Sequence, residues 1–517
     1  MGKVKKYSFM LLIALMTVLV VAACSNNEES SAPSEADGST DGETAVDSNQ
    51  PLDIKLVLNF DGVEAPSSGN DVETKIEELT NSNLEITHMV SANFCERLPV
   101  LIASGDLPDV IPSCGAPTQP YLISAMQDGV FWEVGQYLEQ FPTLASMPDI
   151  VYDNVKVNDE LYGLPRYRPL SRFVTMYRKD WLDNLGIAEP TNHEELLEAY
   201  RAVTNNDPNG SGTKDTRGLT SVSLPGDFGP DFGIGFGAPN EWEVDENGSF
   251  TRNHETPEFL EALKFTKQLV EEGLVNSDLV APDRTTREAD FENGISGFWA
   301  ASTNNVVSIA SRLQANHPEA EVGLYNALVG ETGEKRLPSM FGSNGILMFP
   351  KATVKTEEDL LAILGFFEEL ASNQEAIDLL AWGFEGVHHE LVDGKPSYID
   401  YDQYMTDVGF GYRFPLVTAP IDDTMTQGDL SELEQLVRQI EVENNDLVVV
   451  DPSINLVSEV RNNLGADLDQ LINDAKFRFV TGAIDEDGWN AAVQQWRDRG
   501  GDDVREDLER LYAERNN

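Results

Sequence analysis

Oxygen-bearing side chains recur at every second position of one loop, NNDPNGSGTKDTRGL, which covers residues 205–219. The candidate ligands are Asp207, Asn209, Ser211, Thr213 and Asp215. Carboxylate, amide, hydroxyl and backbone carbonyl oxygens at this spacing are the donors that Ca²⁺ takes from a single loop. The same residue types also favour chain reversal. The loop by itself therefore predicts either a calcium site or a plain surface turn.

A second group of side chains could bind an anion. The segment PRYRPLSR, residues 165–172, carries Arg166, Arg168 and Arg172 in a chain with only 36 basic residues against 89 acidic ones. Guanidinium groups pair with carboxylates through two parallel hydrogen bonds. The three arginines predict recognition of an acidic solute such as a uronate oligosaccharide. The alternative is that they neutralise acidic surface and hold parts of the chain together.

Flat aromatic rings near predicted strand ends or loops could stack on the apolar faces of a sugar, with hydrogen-bonding side chains beside them. The candidate platforms are Phe60, Trp132, Tyr167, Trp242, Trp299 and Trp382. Ordinary packing in the core is the competing interpretation for each ring. Trp181 lies inside a predicted helix, so we expect it in the core.

The adjacent histidines, His388 and His389, do not share a helix face and have no Cys or His partners at metal-binding spacing. This pattern favours loop packing or a hydrogen bond to a ligand, and Glu385 and His388 join the ligand-binding candidates. With 89 carboxylates, coincidental acid pairs are certain and say nothing about glycoside hydrolysis. No local Ser-His-Asp or Cys-His pattern stands out, so the sequence predicts no catalytic residue.

The N-terminus predicts export. Three lysines precede an apolar run over residues 9–23, and small residues lead into Cys24. A charged flank, a short apolar stretch and small residues are typical of a secretory signal, and the run is short for a membrane span. Cys24 at this point resembles the lipobox of bacterial lipoproteins, which implies cleavage before it and a lipid on its thiol. An uncleaved anchor helix is the alternative. Residues 24–51 predict a disordered acidic tether.

Composition narrows the function further. The formal net charge of −53 argues against nucleic acid and against a basic patch on anionic lipid. It is compatible with a protein exposed to a salty or alkaline medium. Cys95 and Cys114 remain as an even pair outside the cell, where either a disulfide or two buried free thiols would be expected.

The apolar patterning predicts an α/β fold with at least two domains. A strand at 52–60, a helix at 71–79 with Asp71 as N-cap, and a strand at 84–89 form a β-α-β unit. Further predicted elements are a short strand at 108–112 and helices at 97–104, 192–203, 256–273 (capped by Thr256), 356–372 (capped by Thr356) and from 457 to the end.

Four stretches together resemble the extracellular solute-binding proteins of ABC importers, family 1, in their LipO-like lipoprotein branch of carbohydrate type. They are RLPVLIASGDLPDVI (97–111), ELYGLPRYRPLSRFVTMYRKDWLDNLGI (160–187), ALKFTKQLVEEGLVNSDL (262–279) and WGFEGVHHELVDG (382–394). The similarity extends from Leu52 to about Tyr404, and the motifs are fairly specific in combination.

The resemblance implies a two-lobed α/β fold of the type 2 periplasmic-binding-protein kind, with a hinge and a ligand cleft between the lobes. Lobe 1 is expected over 52–168 plus about 342–410, and lobe 2 over 169–341 plus about 411–517. The crossovers are expected near Pro165–Pro169 and Phe341–Phe349. The implied function is capture of a sugar, an oligosaccharide, by a monomeric, lipid-anchored protein on the extracellular face and its delivery to ABC permease subunits. Peptide is the alternative ligand.

Two other functional classes stay open at this point: a secreted carbohydrate-active enzyme, and a glycan-sensing or adhesive surface lipoprotein. For the loop at 205–219, the resemblance implies a structural Ca²⁺, because relatives often carry a DPNGNGxxDE loop there. Ser211 replaces an Asn, and Thr216 stands where relatives have Glu. Only two carboxylates would then hold the metal, which lowers the expected affinity.

Overall fold

The structure is a computed structural model that describes residues 50–60, 65–220, 233–276 and 284–516. Its strands are β1 (Leu52–Phe60), β2 (Ser82–Val90), β3 (Ile111–Pro112), β4 (Leu164–Tyr167), β5 (Phe173–Arg178), β6 (Arg217–Leu219), β7 (Trp242–Val244), β8 (Phe250–Arg252), β9 (Ser296–Ser302), β10 (Val322–Tyr325), β11 (Leu337–Pro338), β12 (Ser343–Met348), β13 (His389–Val392), β14 (Lys395–Tyr398) and β15 (Val448–Val449).

Its α-helices are α1 (Asp71–Thr80), α2 (Ser91–Ser104), α3 (Pro120–Gln127), α4 (Asp149–Asp153), α5 (Lys179–Leu185), α6 (His193–Asn205), α7 (Pro257–Glu271), α8 (Arg284–Glu292), α9 (Val306–Asn316), α10 (Glu357–Ser372), α11 (Gln374–Trp382), α12 (Tyr401–Tyr404), α13 (Phe414–Leu416), α14 (Glu432–Asn444), α15 (Glu459–Val480), α16 (Glu486–Trp496) and α17 (Asp502–Arg515). A π-helix, Met405–Arg413, joins α12 to α13. Within the described ranges, no helix is both long and apolar enough to cross a membrane.

Side-chain caps fix several helix starts. The caps predicted at Thr256 and Thr356 are confirmed, since the hydroxyl of each accepts a backbone N–H of the first turn. The cap predicted at Asp71 is wrong. Asn70 is the N-cap of α1, where its side-chain oxygen accepts from Val72 N and Glu73 N at 2.9 and 3.1 Å. Asp71 follows in the first turn, where its negative charge faces the positive end of the helix dipole.

The ends of two predicted elements also differ from the structure. Helix α2 begins at Ser91, ahead of the predicted start at 97. The strand predicted at 108–112 is shorter, with only Ile111–Pro112 in β3 and a separate bridge between Leu56 and Val110. Such boundaries depend on tertiary contacts that the apolar pattern does not record.

The first lobe is built around two small sheets. Strands β1 and β2 pair in parallel along their whole length, and β12 lies antiparallel between β3 and β4. Its hydrophobic core draws on residues 54–164 and 346–425, with helices α10 and α11 contributing many of the buried side chains. Residues Tyr412 to Met425 pack in this core, although the sequence placed them in the second lobe.

The second lobe is organised by one four-stranded sheet in the order β10-β5-β9-β6. Alternate residues of its strands face two different clusters: Met176 and Trp299 face a cluster with α9 and α14, whereas Tyr177 and Phe298 face a cluster with α6 and α15. This period of two is what a strand with both faces covered requires. The sheet is therefore buried on both sides, as in other α/β layers.

Within the part of the chain that the structure describes, the backbone passes between the two lobes three times. Strand β4 belongs to the first lobe and β5 to the second, β11 pairs with β15 before β12 returns to the first lobe, and the last passage follows Met425. The first two passages lie close to the crossovers predicted near 165–169 and 341–349. We refer to the segment 168–172 as the first crossing.

Cys95 of α2 and Cys114, just after β3, form a disulfide with their Cα atoms 5.5 Å apart. Of the two alternatives that the sequence left open for this pair, the structure has the bridge. It ties the residues just after β3 to α2, within the first lobe. Cys24 lies outside the described residues.

Candidate functional site

A cavity of about 170 Å³ lies where the crossings meet, and we call it the cleft. The first lobe contributes aromatic and charged side chains from the end of β14 through α13, and the second lobe contributes the start of α9 and one face of α14. The lining includes Tyr167, Arg168, Arg172, Thr303, Asn304, Tyr398, Tyr401, Met405, Arg413, Phe414, Asp422, Glu434, Arg438 and Glu441. Residues from both lobes therefore face one another across it.

The backbone is held on both sides where β4 ends and the first crossing begins. Tyr167 N donates to Val417 O at 3.1 Å, and Arg168 N donates to Gly342 O at 2.9 Å. These bonds join the segment to the residue after α13 on one side and to the return passage before β12 on the other. The side chains of Tyr167 and Arg168 are thus fixed at the edge of the cleft by main-chain pairing rather than by chance loop geometry.

The π-helix Met405–Arg413 supplies the other side of the cleft. A π-helix is rare, and it commonly occurs at functional sites. Here it places Met405 and Arg413 in the lining. The Arg413 guanidinium pairs with Asp422, and its Nη1 donates to the Tyr404 hydroxyl at 3.1 Å. This pairing holds one positive charge against the cleft wall.

Two further arginines have hydrogen-bonding capacity left for a ligand. Arg168 lies 4.9 Å over the Phe414 ring, and its hydrogen bonds within the described ranges go to the backbone oxygens of Tyr167 and Phe414 at 2.6 and 3.1 Å. Arg172 Nη1 donates to Asn304 Oδ1 at 3.4 Å, and among the described residues its buried Nε has no partner. Among the described residues, neither the Arg168 nor the Arg172 guanidinium is hydrogen-bonded to a carboxylate.

Electrostatics favour an anion at this place. Burial lowers the pKa of Arg168, and the charges of Arg172 and Arg166 lower it further. Burial also lowers the pKa of Arg172, against the opposing charge of Glu441. A negative group between the guanidiniums would relieve this crowding and would be bound through charge-assisted hydrogen bonds.

Neutral hydrogen-bonding groups complete the lining. The Thr303 hydroxyl donates to Glu441. Burial raises the pKa of Glu441 and the charge of Asp422 adds to that effect, whereas the Thr303 hydrogen bond and the charges of Arg413 and Arg172 oppose it. Burial raises the pKa of Tyr167 to about 12, so its hydroxyl stays protonated at ordinary pH. Tyrosine rings and hydroxyls beside arginines can bind a solute that has apolar faces, hydroxyl groups and a negative charge.

The structure brings only some of the predicted ligand-binding residues to the cleft. Tyr167 and Arg168 line it. Glu385 is exposed in the loop after α11 and lies outside the cleft, and His388 is buried beside a different cavity. Of these four predicted residues, Tyr167 and Arg168 therefore belong to the cleft, whereas Glu385 and His388 lie elsewhere in the first lobe.

Four of the predicted aromatic platforms are core residues, which corrects the sequence interpretation. Phe60, Trp242, Trp299 and Trp382 are each at most 3% exposed. Trp299 faces a helix-covered side of the central sheet, and the Trp382 indole N–H donates to Thr426 O at 2.9 Å. Trp132 is partly buried and donates to Val354 O at 2.8 Å, away from the cleft. Trp181 is buried, as expected.

Arg166 is also a structural residue, not a residue of the cleft lining. Its side chain is 1% exposed and donates to Asn59 Oδ1 at 2.6 Å and to the backbone oxygens of Ser113 and Asn344. These partners come from β1, the end of β3 and β12. Arg166 therefore joins three strands of the first lobe, because it points to the opposite side of β4 from Tyr167.

Sequence reasoning missed most of the cleft. The residues it did not single out include Tyr398, Tyr401, Arg413, Phe414 and Glu441. One local signal was available: two segments, SYIDYDQY (397–404) and GFGYRF (409–414), are rich in aromatics, and the second contains one of the scarce arginines. Glu441 is one acidic residue among 89, and nothing in the sequence distinguishes it.

The oxygens of the loop at 205–219 do converge. The Ser211 hydroxyl oxygen lies 3.3 Å from Asp207 Oδ1, 3.3 Å from Thr213 O and 3.0 Å from Asp215 Oδ1. Asn209 Oδ1 accepts from Ser211 N at 3.2 Å. The Thr216 hydroxyl instead donates to Val203 O. Among the described residues, no group of three or more His, Cys, Asp or Glu side chains could hold a metal; the loop brings only two carboxylates.

Comparisons with known proteins identify the relatives. The family model described as bacterial extracellular solute-binding protein matches residues 82–377. The polygalacturonan/rhamnogalacturonan-binding protein YtcQ of Bacillus subtilis is 29% identical over 98% of each chain, and lipoprotein LipO of the same organism is 30% identical over 96% of this chain and 97% of its own.

Solved structures show the same fold at lower identity. FusA, an ABC-transporter substrate-binding protein of Streptococcus pneumoniae in complex with kestose, has a TM-score of 0.68 at 17% identity and covers 90% of this chain and 99% of its own. An EF-hand mutant of FusA and the alginate-binding protein AlgQ2 without calcium ion give TM-scores of 0.67 and 0.63. The fold is therefore the two-lobed periplasmic-binding-protein type with a cleft between the lobes.

Proposed function

This chain belongs to the bacterial extracellular solute-binding protein family, and from that premise we propose that it captures a uronate-containing oligosaccharide and delivers it to an ABC importer. The observation that carries the proposal is the cleft itself. It gathers Arg168, Arg172 and Arg413 with tyrosine and phenylalanine rings, in a chain whose net charge is −53. Such a lining matches a carbohydrate that bears carboxylates.

The relatives support the ligand class. YtcQ is named for binding polygalacturonan and rhamnogalacturonan, and FusA for fructooligosaccharides. Polygalacturonan is an acidic polysaccharide, and the similarity between YtcQ and this chain extends over almost the whole length of both. We therefore favour a sugar over a peptide and an acidic sugar over a neutral one.

Calorimetric titration of the exported chain tests the proposal. Tetragalacturonate is expected to bind, whereas a neutral tetrasaccharide of the same length is expected to bind at least tenfold more weakly. Equal affinity for both, or exclusive affinity for the neutral sugar, would eliminate the acidic ligand. The titrated sugar should be recovered unchanged after prolonged incubation, because we propose binding without chemistry.

The pH dependence of binding should depend on Glu441. Its raised pKa means that it takes up a proton at a higher pH than an ordinary glutamate does. A bound uronate nearby would raise that pKa further, so binding is coupled to proton uptake and strengthens as the pH falls toward the pKa of Glu441. Titrations with tetragalacturonate between pH 8 and pH 5.5 measure this. Glu441→Gln should bind more tightly at pH 8 and lose most of the pH dependence; an unchanged profile would contradict the assignment.

We also propose that the loop at 205–219 binds a structural Ca²⁺. The donor set fits the ion: Asp207, Asn209, Ser211 and Asp215 offer side-chain oxygens and Thr213 its carbonyl, and oxygens of Asp207, Thr213 and Asp215 lie within 3.3 Å of the Ser211 hydroxyl. Gly212 has a φ of 77°, which suits the sharp turn at the sixth position of such a loop. With two carboxylates, the affinity should be in the range of weak extracellular sites.

Thermal unfolding in 10 mM CaCl₂ and in EDTA tests the calcium proposal. Ca²⁺ is expected to raise the free energy of unfolding by about 2 kcal/mol, as a ligand well above its Kd does, and to raise the melting temperature by a few degrees. Asp207→Asn should abolish the difference. Asp245→Asn is the matched control, since Asp245 accepts similar backbone bonds in another turn. Equal melting temperatures in both buffers would show that the loop is a plain surface turn and not a calcium site.

The anchoring proposal concerns Cys24. We propose that lipidation there holds the protein on the extracellular face of the cell membrane, where it meets the permease. The support is the lipobox-like sequence and the relative LipO, which is named as a lipoprotein. Cys24→Ser should release the protein into the medium. Retention of that variant on the membrane would contradict lipid anchoring. Delivery is tested separately by uptake of labelled tetragalacturonate, and uptake that needs neither the protein nor a permease would contradict it.

A further inference from the structure

A second cavity, of about 670 Å³, lies in the first lobe beside the start of α1, and we call it the distal pocket. Its apolar lining includes Pro66, Phe384 and Val387, and its polar lining includes Asp71, His388 and Asp407. Val387 is 48% exposed, and the Phe384 ring is half-buried. An aromatic face among hydroxyl-, amide- and carboxylate-bearing side chains has the composition of a sugar subsite.

The distal pocket and the cleft each share lining residues with a third cavity beside the π-helix. A middle cavity of about 300 Å³ shares Asn304, Tyr401 and Met405 with the cleft. The same middle cavity shares Thr406 with the distal pocket. The three cavities therefore adjoin one another at the start of the π-helix, and we refer to them together as the track. Met405 lines the cleft and the middle cavity, Thr406 lines the middle cavity and the distal pocket, and Asp407 lines the distal pocket.

The two ends of this track carry opposite charge. The cleft has four arginines against three carboxylates among its lining residues. The distal pocket has Asp71 and Asp407 and no Lys or Arg among its lining residues. A carboxylate on a ligand is stabilised at the first end and repelled at the second, whereas a hydroxyl can donate to the two aspartates.

The aspartate carboxylates are available and one of them is held in place. His388, 3% exposed, accepts the Phe384 N–H at Nδ1 (2.9 Å), so its proton is on Nε2, which faces Asp407 Oδ2 at 3.2 Å. Among the described residues, Asp407 Oδ1 has no hydrogen-bond partner, and the exposed Asp71 carboxylate has none. Asp407 is thus oriented by a buried histidine and open toward the pocket.

We propose that the distal pocket binds a neutral sugar unit of the same oligosaccharide whose uronate unit lies among the cleft arginines. The ligand is then a mixed oligosaccharide, acidic and neutral, bound in one direction along the track. This inference rests on the proposed function and deepens it, because it assigns the neutral part of the ligand to Phe384, Asp71 and Asp407. His388 is a positioning residue that fixes the Asp407 carboxylate.

Titration of the full exported chain with two tetrasaccharides tests the inference. One alternates galacturonate with neutral rhamnose, and the other is tetragalacturonate. Wild type should bind the alternating sugar about tenfold more tightly. Asp407→Asn should weaken the alternating sugar about tenfold, since a charge-assisted hydrogen bond is lost, and should strengthen tetragalacturonate, since a like charge is removed. Asp71→Asn should shift both affinities in the same directions by a smaller factor.

The control is Asp474→Asn, an exposed carboxylate on α15 outside the track, which should change neither affinity. Equal weakening of both sugars by Asp407→Asn, or no change for the alternating sugar in either aspartate variant, would overturn the distal subsite while leaving the cleft assignment intact. Failure of wild type to bind either sugar would overturn the proposed function and this inference together. If Asp407→Asn folds poorly, seen as a lowered melting temperature, the affinities for the two sugars are compared in Asp71→Asn instead.

Discussion

Replacing Arg172 with methionine is expected to weaken the binding of tetragalacturonate about 30-fold without changing the melting temperature. The buried Nε of Arg172 has no partner among the described residues, and its one side-chain bond, to Asn304, is long at 3.4 Å. The guanidinium therefore contributes little to the unliganded protein and much to a bound carboxylate. A charge-assisted hydrogen bond of about 2 kcal/mol corresponds to the 30-fold change.

Isothermal titration with matched variants isolates the effect. Arg172→Lys keeps the charge but loses the planar fork, so an intermediate loss of affinity is expected. Arg201→Gln is the control, because Arg201 pairs with Glu198 and Glu272 on the surface of the second lobe and lies outside the cleft. If Arg172→Met bound tetragalacturonate as tightly as wild type, Arg172 would not be a residue that binds the carboxylate of the ligand.

Gly163→Ala is expected to lower the free energy of unfolding by about 3 kcal/mol, at the upper end of the usual cost of overpacking. A Cβ at this position would lie 2.2 Å from Leu347 O, which belongs to the backbone of β12. Strands β4 and β12 would have to separate next to Leu164, which pairs with Leu347. A backbone oxygen in a sheet cannot move aside as a flexible side chain can.

Urea unfolding compares this variant with Gly365→Ala, a substitution of the same size inside helix α10. A Cβ at Gly365 meets nothing within 4 Å, and alanine favours a helix over glycine by up to about 1 kcal/mol. The two variants should therefore shift the midpoint in opposite directions. If the Gly163→Ala protein unfolded at the wild-type urea midpoint, β4 and β12 would not pack so closely that a Cβ at position 163 is excluded.

Much of the fold could be predicted because it depends on local patterns. The apolar runs located β1 and β2, and the threonines before α7 and α10 capped those helices as predicted. The cap of α1 was missed by one residue, since Asn70 and Asp71 are both good caps and only the backbone conformation distinguishes them. What local patterns do not contain is which lobe a segment joins, as with Tyr412 to Met425.

The cleft was harder to predict, for a physical reason. An aromatic residue near a strand end is equally suited to a ligand platform and to a core, and the side of the sheet on which it lies decides between them. Trp299 and Phe298 are adjacent, yet they face different clusters on opposite sides of one sheet. The cleft residues come from segments hundreds of positions apart, such as Tyr167 and Arg413, so no short window of sequence contains them.

The threefold passage of the chain between the lobes has a consequence for the order of folding during export. Pro112 pairs with Leu347, and the first core also needs side chains as late as Met425. A chain that emerges N-terminus first therefore exposes β1, β2 and α2 long before their partners arrive, and contacts of such high sequence separation form slowly. The intervening four-stranded sheet has all its strands between residues 173 and 325. We expect the second lobe to fold around its sheet first, while β1, β2 and α2 stay without their partners until the later segments of the first core have emerged.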